Sequence, residues 1–136
     1  MKNMKLMIKN ELDNFISKIK NKKMIKSVIL FGSRARGDYS PFSDVDLIII
    51  GDFKKKFIMR AFDLLILNES RFNFEIFCYT EEEFEKMFVK GNALILDAIF
   101  EGIPLEGKNL FNLYKRRMNE MIQKGLKRSS CTWVLI

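Results

Sequence analysis

Asp44 and Asp46 stand one residue apart at the head of the apolar run Leu47-Ile48-Ile49-Ile50. On a strand, side chains two apart project from one face, and their Cα atoms lie about 6.5–7 Å apart. Two carboxylates that close repel each other unless a cation lies between them. Hard oxygen ligands of this kind suit Mg²⁺ or Mn²⁺ far better than zinc. Gly32-Ser33 closes the preceding apolar run. A glycine there lets backbone approach a phosphate closely, and the serine hydroxyl and following N–H groups can donate to its oxygens. Glu75, between Phe74 and Ile76, is a third acid, and an acid in so apolar a segment is costly unless paired or metal-bound. Arg34 and Arg36 flank the turn. They can serve triphosphate charge or, as surface cations beside Asp38, structure alone. Singly, each feature is more often structural: a D-x-D is commonly a solvated turn or cap, a Gly-Ser a plain turn, and Glu75 a sheet-edge acid paired with lysine. Their conjunction is what points to chemistry on a phosphate.

The elements that must position these groups follow from hydrophobic period. Ile8, Leu12, Phe15, Ile16 and Ile19 recur at helical spacing within Met4 to Asn21. Lys26 to Phe31 is a short β-branched and apolar run stopped by Gly32, which suits a buried strand. Gly32 to Ser43 is rich in turn residues and predicts a loop or a short helical turn. A second strand covers Asp44 to Ile50. Ile58, Ala61, Phe62 and Leu65 share one face of a helix over Lys54 to Leu67. Asn73 to Thr80 reads as a third strand, with Phe72, Phe74, Ile76 and Cys78 on one side and Asn73, Glu75 and Phe77 on the other. Thr80-Glu-Glu-Glu83 is a capping box opening another helix. Further helices are expected over Asn92 to Phe100 and Leu110 to Lys124, with a brief edge strand near Gly102 to Gly107. The last residues, 129–136, show no period and read as a loose tail. The expectation is one domain: an amphipathic helix in 1–25, a core in 26–107, a C-terminal helix in 108–128 and the tail. Strands alternating with helices make this an α+β or α/β fold with a small sheet.

Composition narrows the chemistry. The chain has 136 residues, 48% hydrophobic and 30% charged, a balance that supports one globular domain with a core. It contains no histidine, which excludes a Ser-His-Asp triad, histidine-ligated haem and the common histidine-containing zinc sites. Two cysteines, Cys78 and Cys131, make neither a disulfide scaffold nor a four-ligand zinc site. No apolar run is long enough to span a bilayer, and the lysine-studded N-terminus has no signal core, so a cytoplasmic protein is expected. The net charge of +7 permits an anionic partner. No basic stripe interleaves with exposed aromatics, however, so nucleic acid is not favoured. The Gly32 turn is neither a Walker A loop nor a dinucleotide fingerprint.

The run Gly-Ser-x-Ala-x-Gly-(five residues)-Ser-Asp-x-Asp-Leu, Gly32 to Leu47, resembles the signature of the DNA polymerase β-type nucleotidyltransferase superfamily, and within it the minimal nucleotidyltransferases. The resemblance covers about Ser27 to Gly107 and is absent after Gly125. It implies a small mixed sheet with helices packed on one side. It further implies that Gly32, Ser33 and Arg34 contact the triphosphate of ATP, and that Asp44, Asp46 and Glu75 are catalytic and hold Mg²⁺, two ions in all. The third acid of that family is usually Asp, where this chain has the longer Glu75. By the same resemblance the chain moves AMP from ATP to an acceptor. For members of this size the acceptor is a tyrosine on a HEPN-domain toxin, the nucleotidyltransferase being the antitoxin. The alternatives are a non-catalytic module that neutralises its partner by contact, and a transferase acting on RNA or a small molecule.

Overall fold

The computed structural model describes residues 2–22, 24–129 and 132–135. In chain order its elements are α1 (Lys2–Lys22), β1 (Ile25–Phe31), α2 (Ser33–Arg36), β2 (Val45–Gly51), α3 (Phe57–Leu65), β3 (Phe74–Tyr79), α4 (Glu81–Val89), α5 (Ala93–Glu101), β4 (Ile103–Glu106), α6 (Lys108–Gln123), β5 (Leu126–Ser129) and β6 (Thr132–Leu135). A four-stranded sheet runs in the order β3-β2-β1-β4. β1 is antiparallel to both β2 and β4, whereas β2 and β3 are parallel. The mixed sheet expected from the sequence is therefore present.

The helices do not keep to one side of it. Val45, Leu47 and Ile49 of β2 join α1 residues Leu12, Phe15, Ile16 and Ile19 in one apolar cluster. Ile48 and Ile50 join Phe84, Ile95, Ile99 and Tyr114 from α4, α5 and α6 in another. Because β2 is apolar at every position from Leu47 to Ile50, both of its faces need cover, and helices supply it on both. The expectation of one-sided packing is corrected here.

Two local expectations change as well. The apolar set Ile58, Phe62 and Leu65 of α3 lies exposed, while the helix turns Arg60 and Leu64 inward. Arg60 is held inside by donating to the carbonyls of Lys55 and Cys78 and to both oxygens of Glu83. A buried guanidinium with that many acceptors is satisfied. The C-terminal segment, in turn, is no loose tail over its described residues, because β5 and β6 pair antiparallel from Leu126↔Leu135 to Ser129↔Thr132. The Trp133 ring packs edge-on to Phe100, and its Nε1 donates to Asp97 at 2.9 Å, which ties the hairpin to α5. Cys131 lies outside the described residues. Among the described helices, none is long and apolar enough to cross a membrane.

Candidate active site

The site forms where β1 ends and β2 and β3 begin. Phe31 pairs with Asp46 across the antiparallel ladder, which sets the Gly32 turn directly beside that aspartate. Gly32 has φ +76°, and a Cβ built on it would overlap the Asp46 carboxylate. Both the left-handed backbone and the close approach require glycine. The Gly32 carbonyl accepts from the amides of Ala35 and Arg36, each at 3.0 Å, and so winds the short α2. Ser33 is half-buried at its start, and among the described residues nothing is bonded to its hydroxyl.

β2 and β3 run parallel in a register that sets Asp46 opposite Glu75. Both sit on the face that farther along carries Ile48, Ile50, Phe77 and Tyr79, so the strand parity read from the sequence holds. Glu75 is exposed and Asp46 half-buried. Burial pushes the Asp46 carboxyl up to about 6; the negative charges of Glu75 and Asp44 and a hydrogen bond with Glu75 push the same way, against a weaker pull from Arg36.

Asp44 stands just before β2, exposed, and accepts from Asn73 Nδ2 at 2.9 Å. The Val45 amide donates to the Asn73 carbonyl, so the start of β3 fixes where Asp44 can reach. The three acids thus lie together but unevenly: Asp46 meets Glu75, and Asp44 is held aside by Asn73. Among the described residues, no three acidic or cysteine side chains are gathered into a ready cage for a metal ion.

Arg34 is not the surface cation that its surroundings in sequence suggest. Its guanidinium is buried, stacks 4.5 Å from the Tyr39 ring and 5.3 Å from the Phe72 ring, and donates through Nη2 to the Ser43 carbonyl at 3.0 Å. It thereby braces the loop that delivers Asp44. Arg36 is exposed and pairs with Asp38 and Glu101. Glu101 is a residue that the sequence reading missed. Its nearly buried carboxylate accepts from the Gly32 amide at 3.2 Å and from Arg36 at 3.0 Å, fixing the turn from the end of α5. No local motif marks it, since its partners are 65 and 69 residues away.

A cleft of about 390 Å³ opens beside Asp44, lined by Pro41, Phe42, Ser43, Arg71, Phe72 and Asn73. A larger one, about 520 Å³, lies on α6 among Asn109, Asn112, Lys115 and Arg116; neither cleft has an acid in its walls, but the smaller one includes Asn73, the residue that donates to Asp44. Chemistry, not size, locates the site.

Comparison with known proteins gives the family and the fold. Residues 12–103 match the family described as Nucleotidyltransferase domain. The Methanocaldococcus jannaschii protein named "Putative protein adenylyltransferase MJ0604" is 40% identical over 58 residues, 41% of this chain and 58% of that protein. The chain therefore spans less than two thirds of that curated relative's length. A crystal structure of a toxin-antitoxin with AMP-PNP superposes with a TM-score of 0.56 at 17% identity, covering 81% of this chain and 86% of the other. A mutant of the toxin-antitoxin MntA-HpeT gives 0.55 at 16% identity and covers 85% of each chain. At such identities the likeness is one of fold, the polymerase β-type nucleotidyltransferase fold.

Proposed function

The chain belongs to the nucleotidyltransferase domain family, and from that premise we propose that it transfers AMP from ATP, with Mg²⁺, to a tyrosine of a HEPN-domain toxin whose antitoxin it is. The observation that carries this reading is the pairing of Asp46 with Glu75 across parallel strands, beside a glycine turn that admits no side chain. The 40% identity to a protein named as an adenylyltransferase supports the choice of AMP. The toxin-antitoxin assemblies that share the fold support the choice of partner.

The residues present fit a divalent cation. Asp46, its carboxyl pushed up to about 6 chiefly by burial and by Glu75, is a group that a cation would stabilise in its ionised form. Mg²⁺ in nucleotide sites commonly takes only one or two carboxylates and completes its shell with phosphate oxygens and water. A full protein cage is not required. Asp44 and Asp46 would hold the ion that accompanies the nucleotide, and Glu75 with them the one nearer the acceptor. When bound, such ions neutralise the triphosphate and favour the ionised acceptor hydroxyl.

The protein's own part is positioning. The Gly32-Ser33 turn receives the β- and γ-phosphates, using the Ser33 hydroxyl and the amides of Ser33 and Arg34. Asn73 aims Asp44. Arg34, through Ser43, holds the loop. The acceptor oxygen attacks the α-phosphorus in line, the bond to the bridging oxygen breaks, and pyrophosphate leaves. The cleft between Phe42 and Asn73, next to Asp44, is where an acceptor side chain has room.

The test is incubation with ATP labelled at the α-phosphate, Mg²⁺ and a HEPN-domain toxin. Label should appear on a toxin tyrosine and disappear with Asp46→Asn. If Asp46→Asn neutralises the toxin as well as the parent does, contact alone is the mechanism and the enzymatic reading falls.

A further inference from the structure

Six large apolar side chains of α3 and its cap are exposed; Phe57, 44% exposed, stacks beside Tyr79, and the other five form one stripe: Ile58 is 76% exposed, Met59 46%, Phe62 63%, Leu65 36% and Ile66 68%. Ile66 keeps helical geometry as the C-cap, so it continues the same face. The stripe of five exposes on the order of 500 Å² of apolar surface, at the upper end of the largest patch that a lone soluble chain carries, and patches of that size are often functional. The helix spends its inward face on Arg60 and Leu64 instead. Nothing in the chemistry of the site uses this stripe.

Its order along the chain is symmetric about Phe62. Met59 and Leu65 stand three residues to either side, and Ile58 and Ile66 four to either side. Two copies of α3 crossed antiparallel on a two-fold axis at Phe62 would set Phe62 on Phe62, Met59 on Leu65 and Ile58 on Ile66. That is the self-complementary pattern of a two-fold interface, in which residue i meets j and j meets i. Charge follows the same symmetry. Lys54, Lys55 and Lys56 crowd the N-terminal end of α3, where the positive end of the helix dipole disfavours them. Lys55 is paired with Asp63 of its own chain. An antiparallel neighbour brings its carbonyl-bearing C-terminal end against Lys54 and Lys56; Asn68 and Glu69 beyond it are engaged within their own chain, with Phe72 and Ser70 and with Lys18.

We propose that this chain forms a two-fold homodimer through the exposed face of α3, centred on Phe62. The inference is independent of the nucleotidyl-transfer reading. The apolar area is more than half of the about 800 Å² that each partner gives to a stable interface, and the lysine-to-C-terminus contacts supply the polar rim.

Light scattering on the full chain from about 1 to about 100 µM brackets the dissociation constants expected of such an interface. The mass should rise to that of a dimer with concentration. Phe62→Glu should weaken the dimer at least about 100-fold, as loss of a central anchor does, with an unchanged circular dichroism spectrum because the residue is exposed. Phe62→Cys in a Cys131→Ser background should give an oxidised disulfide dimer, whereas Val89→Cys, exposed on α4, should not. A monomeric parent across the range overturns the proposal, as does a Phe62→Glu variant that still dimerises. A chain that is monomeric alone, and that loses toxin binding with Phe62→Glu, assigns the face to that partner instead and equally overturns self-pairing.

Discussion

Asp46 and Glu85 are carboxyl groups of one small domain whose acidities move in opposite directions, Asp46 up to about 6 and Glu85 down to about 2. Around α4 the acids are matched with donors. Glu85 accepts from Arg117 and from the Tyr114 hydroxyl, and Glu83 accepts from Arg60 and from the backbone amide of Thr80 within the capping box. At the mouth of the sheet the acids are matched chiefly with one another, Asp46 with Glu75 and Asp44 close by. The first arrangement stabilises the fold. The second opposes it, and such local cost is characteristic of sites shaped for a ligand.

Replacing members of each set should separate the two regimes. The largest effect is expected from Asp46→Asn, which should lower the rate of nucleotidyl transfer by about 10³-fold, the scale of losing one preorganised charge at a transition state. Glu75→Gln should follow it, while Glu75→Asp, keeping the charge, should retain activity. Single-turnover labelling checks both, and near-normal turnover in either neutral variant would remove that acid from the catalytic set.

Next in size is Arg60→Met. It strands Glu83 and the carbonyls of Lys55 and Cys78, at a cost of about 2 kcal/mol. Thermal melting should move down by about 8 °C, and a melt within a degree or so of the parent would mean that Arg60 is not an anchor.

The same Asp46→Asn variant should melt higher than the parent when EDTA is present. A carboxyl whose folded pKa lies above its unfolded value weakens the fold when ionised. The gain, discounted for solvent screening, is about 1 kcal/mol at pH 7 or about 4 °C. It should shrink as pH falls through about 6 and vanish only below 3.8, where the parent is protonated in both states. A lower melt for the variant would show Asp46 to be structural.

The smallest effect belongs to Glu85→Gln. Glu85 has a lowered folded pKa, so its stabilisation is complete above the unfolded value near 4.5 and is lost as pH falls toward about 2. Because the pair with Arg117 is substantially exposed, the difference at pH 7 should be no more than about 1 kcal/mol. Acid titration of stability should show parent and variant converging at the low end. A gap that persists unchanged there would assign the effect to packing.

Much of the site was legible because its information is local. Gly32 and Ser33 mark the end of one strand, Asp44 and Asp46 the start of the next, and strict alternation predicted the side of β3 that carries Glu75. The parallel register then placed Glu75 opposite Asp46. Glu101 was illegible for the opposite reason. Its hold on Gly32 and Arg36 joins residues 65 and 69 apart, and only the docking of α5 beside β1 brings them together. Arg34 was readable as a cation beside a phosphate-type turn, and only the folded loop shows it buried against Tyr39 and Phe72 with Nη2 on the Ser43 carbonyl. Among the described residues, its Nε and Nη1 are without a hydrogen-bond partner.

By itself, then, the sequence determined the kinds and order of elements, the capping box at Thr80 and the acids at the strand starts. Period, caps and turn residues act within a few positions of one another, so a linear chain states them outright. Only the tertiary structure decided which faces those elements would cover. The stripes of α1 and α3 have the same spacing, yet Phe15 and Ile19 are buried and Ile58 and Phe62 are bare. Helical spacing says that a helix has an apolar side; whether that side meets its own sheet depends on what competes for the place. At α3 the competitor is Arg60, held inside by the distant Glu83.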